Sequence, residues 1–339
     1  MTNFTIAIPT YNGAERLPLV LDKLLAQIGV EGLSWEIIVV DNNSTDNTKK
    51  IISRYQENWS DKIPLKYCYE AQQGAGFARK KAVEIASSPL IGFLDDDNIP
   101  AENWVAAAYE FAQKYPKAGA YASQIHGDFS GELPPDFDRI KSFFAITERG
   151  EQPLLYQPAI KVIPPSAGLV VRREAWLESV PEQCILGGRV PGSMLTGEDT
   201  ETISYIQKAG WEIWYNPAME VIHKIPQHRT QKDYLIKFFR GIGLSRYVTR
   251  MLGVKPWLKP LAFFAYTAND SRKIIRHLLK YGLKLRTDVV AACEFELYIN
   301  SLKSPFYLWK NGYLNTVEPN YTSVVKSQAG LSGIDCREF

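Results

Sequence analysis

Residues 90–98, which read LIGFLDDDN, decide the fold. The apolar run Leu90–Leu94 predicts a buried strand, and three consecutive carboxylates, Asp95, Asp96 and Asp97, follow it directly. Three like charges at a strand end are costly unless a cation neutralises them. Because mostly parallel sheets bind ligands beyond the carboxyl ends of their strands, the stretch predicts a Mg²⁺ or Mn²⁺ site for an anionic ligand such as a diphosphate. The alternative is a solvated acidic turn, since Asp and Asn are ordinary turn residues.

Upstream of this stretch, short apolar strands alternate with segments of helical periodicity. This rhythm predicts an α/β fold, a right-handed doubly wound sheet with residues 1–100 as its nucleotide half. Pro9 is expected to end the first strand, because proline cannot donate to a sheet ladder. The predicted strands are Phe4–Pro9, Trp35–Val40 and Leu65–Tyr69, and the predicted helices are Ala14–Gln27, Asn47–Tyr55 and Phe77–Ala86.

The second half of the chain is less regular. Residues 127–164 are rich in Pro, Gly and charge, and they predict a long functional loop with a short helix near Phe143. Helices are expected from Arg173 and from the segment Thr196–Glu201. The predicted strands are Ala118–Ile125, Leu169–Val171, Trp211–Tyr215 and Val221–His223.

Two features before the acidic triplet are candidate ligand contacts. Asp41 ends the second strand, where a carboxylate serves either as a local cap or as a partner of ribose or base. The turn Gly74–Gly76 opens a helix and resembles the start of a dinucleotide motif, but Arg79 replaces the third glycine, which argues against that motif. The turn can still cradle an anion, and Arg79 can pair with a phosphate or a base.

Two features after the triplet carry open alternatives. Glu198 and Asp199 begin a helix, where acids stabilise the helix dipole. The same position keeps a carboxylate ionised, as a general base requires. His223 ends a short apolar strand, where a lone histidine is either structural or a ligand.

Composition describes a globular chain that forms one large or two smaller domains. It has 339 residues, 45% of them hydrophobic and 22% charged. Without a run of ~18 apolar residues, no transmembrane helix is expected, and the N-terminus lacks the basic region of a signal peptide. Four cysteines without a CxxC pair, Cys68, Cys184, Cys293 and Cys336, predict free thiols in a reducing cytoplasm.

The net charge of +2 hides a strong asymmetry. Residues 229–286 hold 14 Lys/Arg and two acids, a balance of +12 that leaves −10 for the rest of the chain. Two helices with apolar faces and basic edges are predicted there, Tyr234–Arg250 and Ser271–Leu285. They either pack on the body with solvated lysines or contact an anionic membrane or a lipid-diphosphate acceptor. Nucleic acid is not expected as a partner, because no reader motif is present.

Six short motifs in order resemble the family 2 glycosyltransferases of the GT-A fold over roughly residues 3–250. Asn42 stands where Asp is commoner in the family, Asn43 where Gly is commoner, and Lys80 in place of the usual Asn. The segments Asp41–Ser44 and Asp95–Pro100 resemble those of cyanobacterial exopolysaccharide transferases of the hormogonium polysaccharide type. The motifs are Ile8–Asn12, Val39–Thr48, Gly76–Lys80, Phe93–Asp97 (the DxD signature), Gly197–Asp199 and Val221–His223.

The resemblance implies a fold, a domain division and a role for each matching residue. The fold is a GT-A type doubly wound mixed sheet, as in nucleotide-diphospho-sugar transferases, with a helical C-terminal extension. A catalytic domain would span residues 1–228, with 1–100 as nucleotide half and 101–228 as acceptor half. A basic helical region, 229–314, and a polar tail, 315–339, would follow. The implied residues are Pro9, Thr10, Asp41, Arg79, Asp95 and Asp96 for the nucleotide, Asp97, Asp95 and His223 for the metal, Glu198 and Arg189 for the acceptor, and Asp199 as base.

The implied activity is metal-dependent transfer, with inversion, of a sugar from a nucleotide-diphospho-sugar to a hydroxyl of a growing or lipid-linked polysaccharide. A divalent Mn or Mg ion would neutralise the leaving diphosphate. The implied location is cytoplasmic, peripheral to the inner face of the plasma membrane. Two alternatives stay open: a sugar-nucleotide pyrophosphorylase, which needs a Gly-rich loop that Pro9–Gly13 does not supply, and a non-catalytic polysaccharide-binding subunit.

Overall fold

The computed structural model describes residues 2–157 and 162–314. Its first part alternates strands and helices as the sequence predicted. Strand β1 nevertheless does not end at Pro9. Ala7 faces the neighbouring strand Leu90–Phe93, because its carbonyl accepts from Leu94 N, and pairing with that strand ends there. Pro9 faces the same side two residues later. No partner strand needs the N–H that proline lacks, so β1 can continue through Pro9. The elements are β1 (Phe4–Thr10), α1 (Leu17–Leu25), β2 (Trp35–Asp41), α2 (Thr48–Glu57), β3 (Leu65–Tyr69), α3 (Ala75–Ile85) and β4 (Leu90–Phe93).

The second part departs from the prediction in several places: a helix at Trp104–Lys114 and short strands at Asn98–Pro100 and Leu154–Leu155 were not predicted. The two short strands expected at Trp211–Tyr215 and Val221–His223 are one strand, β9, whose pairing with β6 slips between Asn216 and Glu220. The loop expected at 127–164 is shorter, because β6 continues to Phe129, and two 3-10 turns cover 137–139 and 141–144. The elements are β5 (Asn98–Pro100), α4 (Trp104–Lys114), β6 (Ala118–Phe129), β7 (Leu154–Leu155), β8 (Leu169–Arg172), α5 (Arg173–Ser179), α6 (Glu198–Lys208) and β9 (Glu212–Ile225).

The strands form one mixed sheet in the order β3-β2-β1-β4-β8-β6-β9-β5, with β7 beside β9. The first four run parallel, β8 is antiparallel to both of its neighbours, and β5 is antiparallel to β9. Apolar side chains fill both faces of the sheet, one core lying under α1 and α4 and the other under α3 and α6. The carboxyl ends of the parallel strands therefore lie at one edge of the sheet, and the acidic triplet follows β4 at that edge.

Three long helices follow the sheet: α7 (Lys232–Leu252), α8 (Lys259–Tyr281) and α9 (Val289–Lys310). The first was predicted closely. The second begins at Lys259, well before the predicted Ser271, and α9 was not predicted. Its periodicity is blurred because Asn300, Ser301 and Ser304 are buried among its apolar residues. Ser304 Oγ accepts from Tyr247 N and donates to Leu244 O, so these small polar residues hold α9 against α7.

A third apolar core joins this helical extension to the loop after β6. Phe143 packs edge-on against Phe239 with ring centres 4.9 Å apart, and Phe144 lies 5.5 Å from Phe238. This core contains residues from both sides of position 228, where the sequence predicted a domain boundary. The boundary itself stays a prediction. The predicted tail, 315–339, lies outside the described residues.

Two simpler features bear on the sequence predictions. Within the part of the chain that the structure describes, Cys68, Cys184 and Cys293 form no disulfide with one another, and Cys336 lies outside that part. Within the described ranges, no helix combines the length and apolar character that crossing a bilayer requires.

The third core gives a test of how the extension is attached. Phe239 is fully buried, whereas Phe264 on α8 is largely exposed. Phe239→Ala should lower the free energy of unfolding by about 3–5 kcal/mol, because it leaves a cavity between α7 and the loop. The matched change Phe264→Ala should stay within about 0.5 kcal/mol. Urea denaturation followed by tryptophan fluorescence measures both, and equal effects would contradict the packing described.

Candidate active site

The carboxyl edge of the parallel strands gathers the first group of predicted residues. Thr10 pairs in register with Asp41 across β1 and β2. Its hydroxyl donates to Asp96 Oδ2 at 2.6 Å. The approach is so close that a Cβ on Gly13 would lie 2.1 Å from Thr10 Oγ1 and 2.6 Å from Asp96 Oδ2, so only glycine fits at position 13. The structure thus places Thr10, Asp41 and Asp96 together, beside Pro9.

Asp96 is held by an arginine that sequence reasoning missed. Arg16 donates from Nε to Asp96 Oδ1 at 2.8 Å and from Nη2 to Oδ2 at 2.9 Å, a bidentate pair. Burial and the charge of Asp97 raise the pKa of Asp96, against the opposing effect of Arg16 and Thr10. No sequence motif marks Arg16, which lies just before α1 and reaches the triplet only because α1 packs beside it.

The end of β2 explains two departures from the family pattern. Asp41 accepts from Ser44 N at 2.9 Å and from the Tyr67 hydroxyl at 3.0 Å. Asn42 donates to two backbone carbonyls and accepts from Gly74 N, a set of contacts that an aspartate could not make. Asn43 has φ 62°, a left-handed conformation that glycine adopts freely and asparagine tolerates best among the others.

Two of the three backbone donors of the anion cradle expected at Gly74–Gly76 are occupied by other parts of the chain. Gly74 N donates to the Asn42 side chain at 2.7 Å, and Gly76 N donates to Gly187 O at 3.1 Å. These donors are therefore already paired within the chain. The turn instead fixes the loop around Gly187 against the start of α3, which positions Arg79 one turn further on.

Arg79 connects the two acidic segments of the sequence. Its Nη2 donates to Asp95 Oδ1 at 2.9 Å, and its Nη1 donates to Glu198 Oε1 at 3.3 Å, 119 residues away in the chain. Only 6% of Arg79 is exposed. Burial alone would lower the pKa of Arg79, but the surrounding charges of Asp95, Glu198 and Asp199 raise it. The DxD segment and the Glu-Asp segment therefore share one cleft.

Glu198 and Asp199 occupy the first turn of α6, opposite the triplet. Burial and the adjacent charge of Asp199 raise the pKa of Glu198. Asp199 is only partly buried; its Oδ1 accepts from Thr200 N at 2.7 Å and its Oδ2 from Ser166 N at 3.3 Å. These two bonds fix the Asp199 carboxylate at the cleft wall and leave further lone pairs available.

Arg189 lies across the cleft on the side of the helical extension. Its Nη1 donates to the Tyr234 hydroxyl at 2.9 Å, and its guanidinium stacks 5.8 Å from the centre of the Phe238 ring. Desolvation would lower the pKa of Arg189, but Tyr234 and the acids Glu198, Asp97 and Asp95 raise it. Arg189 therefore shares the electrostatic environment of the triplet and of Glu198.

Asp97 and His223 form the part of the predicted metal site that the structure brings together. Pairing of β5 with β9 places Asp97 Oδ2 3.5 Å from His223 Nε2. His223 Nδ1 lies 3.0 Å from Phe144 O, which can only accept, so Nδ1 donates there and the ring is fixed with Nε2 turned toward Asp97. Asp95 points instead to Arg79. Among the residues described, no three His, Cys, Asp or Glu side chains form a metal-binding group.

One carboxylate and one oriented imidazole fit a divalent ion that takes its remaining ligands from substrate phosphates and water. Arg229, which sequence reasoning also missed, contacts both groups. Its Nη1 lies 2.9 Å from Asp97 Oδ2 and 3.4 Å from His223 Nε2. Burial would raise the pKa of Asp97, but the hydrogen bond with His223 and the charges of His223, Arg229 and Arg16 hold it well below its usual range.

Comparison with known proteins supports the class that the motifs implied. Residues 5–171, just under half of the chain, match the family described as "Glycosyl transferase family 2". A solved mannosyltransferase from Pyrobaculum calidifontis, in complex with GDP-Man and Mn²⁺, is similar over 90% of this chain and 87% of its own, with TM-score 0.56 and 19% identity. The fold is therefore of the GT-A type, with a helical C-terminal extension, as the sequence motifs implied.

Two curated relatives extend the comparison. An uncharacterized glycosyltransferase of the cyanobacterium Nostoc sp. is 35% identical over 95 residues, which are 28% of each protein. A glucosyl-dolichyl phosphate glucuronosyltransferase of Haloferax volcanii is 22% identical over 222 residues, covering 64% of this chain and 67% of that protein. Several curated relatives are matched over only 26–32% of their length.

Arg79 provides a test of the shared cleft. Arg79→Gln should lower the free energy of unfolding by about 2–4 kcal/mol, because it removes the guanidinium that pairs with the buried carboxylate of Glu198; the partial exposure of Asp95 limits the loss. The adjacent, more exposed Lys80→Gln should stay within about 0.5 kcal/mol. Urea denaturation of the two variants measures the difference, and a stable Arg79→Gln protein would argue against the bridge.

Proposed function

We propose that this protein transfers a sugar, with inversion, from a nucleotide-diphospho-sugar to a hydroxyl of a growing or lipid-linked polysaccharide. The observation that carries the proposal is the Arg79 bridge, because it brings Asp95 and Glu198 to opposite sides of one guanidinium. The sheet edge that would bind the donor and the candidate base Asp199, which follows Glu198, then lie on the two sides of one cleft. The mannosyltransferase with bound GDP-Man and Mn²⁺ supports this reading, since it has the same fold.

The donor would lie along the strand ends. Thr10, Asp41 and Asp96 line the edge beside Pro9, where ribose and base would bind. Asp95, beside Arg79, would contact the ribose side of the diphosphate. The arginines around the triplet favour a diphosphate, because guanidinium groups pair with phosphate oxygens.

Asp97 and His223 would hold a Mn or Mg ion, with the donor phosphates completing its coordination. When bound, the ion would neutralise the charge that develops on the diphosphate as the glycosidic bond breaks. His223 is preorganised for this role by its bond to Phe144 O. Asp95 would serve the ion only if it left Arg79.

Asp199 would take the proton from the acceptor hydroxyl. Its carboxylate is fixed by two backbone N–H groups, and Glu198 and Arg189 stand beside it to position the acceptor. Attack from the face opposite the diphosphate would invert the anomeric centre in a single displacement. The proton leaves the hydroxyl as the new bond forms, so Asp199 ends protonated and the nucleoside diphosphate departs.

A lipid-linked acceptor has separate support. One relative is by name a glucosyl-dolichyl phosphate glucuronosyltransferase. The peripheral contact with the inner face of the plasma membrane expected through residues 229–286 fits such an acceptor, because a lipid-linked glycan is confined to a bilayer. The two alternatives are weaker: Pro9–Gly13 gives no phosphate loop for a pyrophosphorylase, and a binding subunit would not need Asp97, His223 and Asp199 in one cleft.

Donor binding is tested by thermal stabilisation with a panel of nucleotide sugars and Mn²⁺. One member should raise the free energy of unfolding by about 2.7 kcal/mol at a hundredfold excess over its Kd. EDTA or Asp97→Asn should remove most of this gain, whereas Asp128→Asn on the exposed end of β6 should keep it. Pyrophosphate release from a nucleoside triphosphate would instead favour the pyrophosphorylase.

Catalysis is tested with the donor so identified. Asp199→Asn should reduce nucleoside diphosphate release by about 10²–10⁴-fold, because the amide cannot accept the proton, while donor affinity stays unchanged. Glu178→Gln, an exposed acid on α5, is the matched control and should keep full activity. Wild-type turnover by Asp199→Asn would contradict its assignment as the base.

A further inference from the structure

Helix α8 presents an apolar face to solvent. Leu261, Phe264, Ile275 and Leu279 are each between 58% and 82% exposed. Their spacing of three, eleven and four residues places them on one side of the helix, near 100° per residue. A surface helix normally turns such a stripe inward, so this orientation needs a cause.

The inward side of α8 fixes this orientation with polar contacts. Asp270 is 1% exposed and accepts two bonds from Arg250 of α7, at 2.5 and 2.9 Å. His277, also buried, lies 2.8 Å from Ala291 O of α9. Rotating α8 to bury its apolar stripe would expel these groups and leave Arg250 unpaired. The outward apolar face is therefore built into the packing.

The charges on this surface all have one sign. Residues 253–287 contain eight Lys/Arg, and their one acid, Asp270, is buried in its pair with Arg250. Arg272 and Arg276 lie on the apolar face itself. Beneath it, Arg246 of α7 has a buried Nη1 without a hydrogen-bond partner, and burial together with the charge of Arg250 lowers the pKa of Arg246 to about 10. Positive charge is thus in excess both on and under the helix.

Aromatic side chains surround one end of the stripe. Tyr266 and Asp270 of α8 line the same crevice as Ser301 and Pro305 of α9, whereas His277 meets Ala291, so the two helices run antiparallel. The start of α8 and the end of α9 therefore lie together. Exposed large rings are found at this end, namely Trp257, Phe264, Phe306 and Trp309. Tryptophan rings favour the interface between water and hydrocarbon.

We propose that the outward face of α8 docks on an anionic phospholipid bilayer. The face combines a stripe of apolar side chains with interleaved arginines, and residues 253–287 contain no exposed acid. This combination matches a surface that offers both hydrocarbon and phosphate. A second copy of this chain fits poorly, because two faces of the same positive charge would repel. The inference deepens the peripheral membrane contact of residues 229–286 in the proposed function by naming the surface that makes it, and it does not depend on the chemistry proposed for the cleft.

The test uses the full chain and sedimentation with vesicles. The protein should associate with vesicles that contain phosphatidylglycerol and far less with pure phosphatidylcholine. The triple change Phe264→Gln, Ile275→Gln and Leu279→Gln should weaken this association by more than about tenfold. Arg272→Gln should weaken it by about fivefold, the effect of one charge at the surface.

The matched control is the triple change Leu19→Gln, Ile28→Gln and Leu177→Gln, which removes exposed apolar residues from the catalytic body. It should bind vesicles like the parent, and both triple variants should keep the parent melting temperature. The proposal is overturned if the parent binds neither vesicle, or if the control loses as much affinity. It also fails if the parent dimerises in light scattering and the α8 triple variant does not, because a second copy would then cover the face. Loss of glycosyl transfer with intact vesicle binding would leave it standing.

Discussion

The Arg79 guanidinium is the contact on which the rest of the cleft depends. It lies almost fully buried between Asp95 and Glu198, two carboxylates that the fold places face to face. Without a cation between them, these acids would repel in a poorly solvated space. Arg16 and Arg229 repeat the arrangement at Asp96 and Asp97. Each acid of the triplet thus has its own arginine, each from a different part of the chain.

This constraint gives the helical extension a part in the site. Arg229 precedes α7, and Tyr234 in its first turn holds Arg189. The aromatic core around Phe239 fixes α7 to the loop whose Phe144 carbonyl orients His223. The extension therefore contributes contacts to the cleft through Arg229 and Tyr234, while its helix α8 carries the apolar face.

The sequence predicted what depends on local pattern. Continuous apolar runs located the parallel strands, and the acids after Leu94 located the sheet edge, because a strand end fixes where its next residues lie. Contacts between distant segments were not predictable: Arg16 and Arg229 carry no motif, and their partners appear only after folding. The contacts of the glycine turn at 74–76 were not predictable for the same reason, since the atoms that accept from two of its backbone donors belong to Asn42 and Gly187. Helix α9 was missed because it buries serine and asparagine where a pattern of apolar residues was sought.

The most direct test of the shared cleft is a double-mutant cycle between Arg79 and Glu198. Free energies of unfolding are measured for Arg79→Gln, Glu198→Gln and the double variant, at a pH above the raised pKa of Glu198. A bridge between the two segments predicts a coupling energy of about 1–3 kcal/mol, with the double variant less destabilised than the sum of the single changes. Strict additivity would mean that the two acidic segments do not share the guanidinium, and the account of the cleft would be wrong.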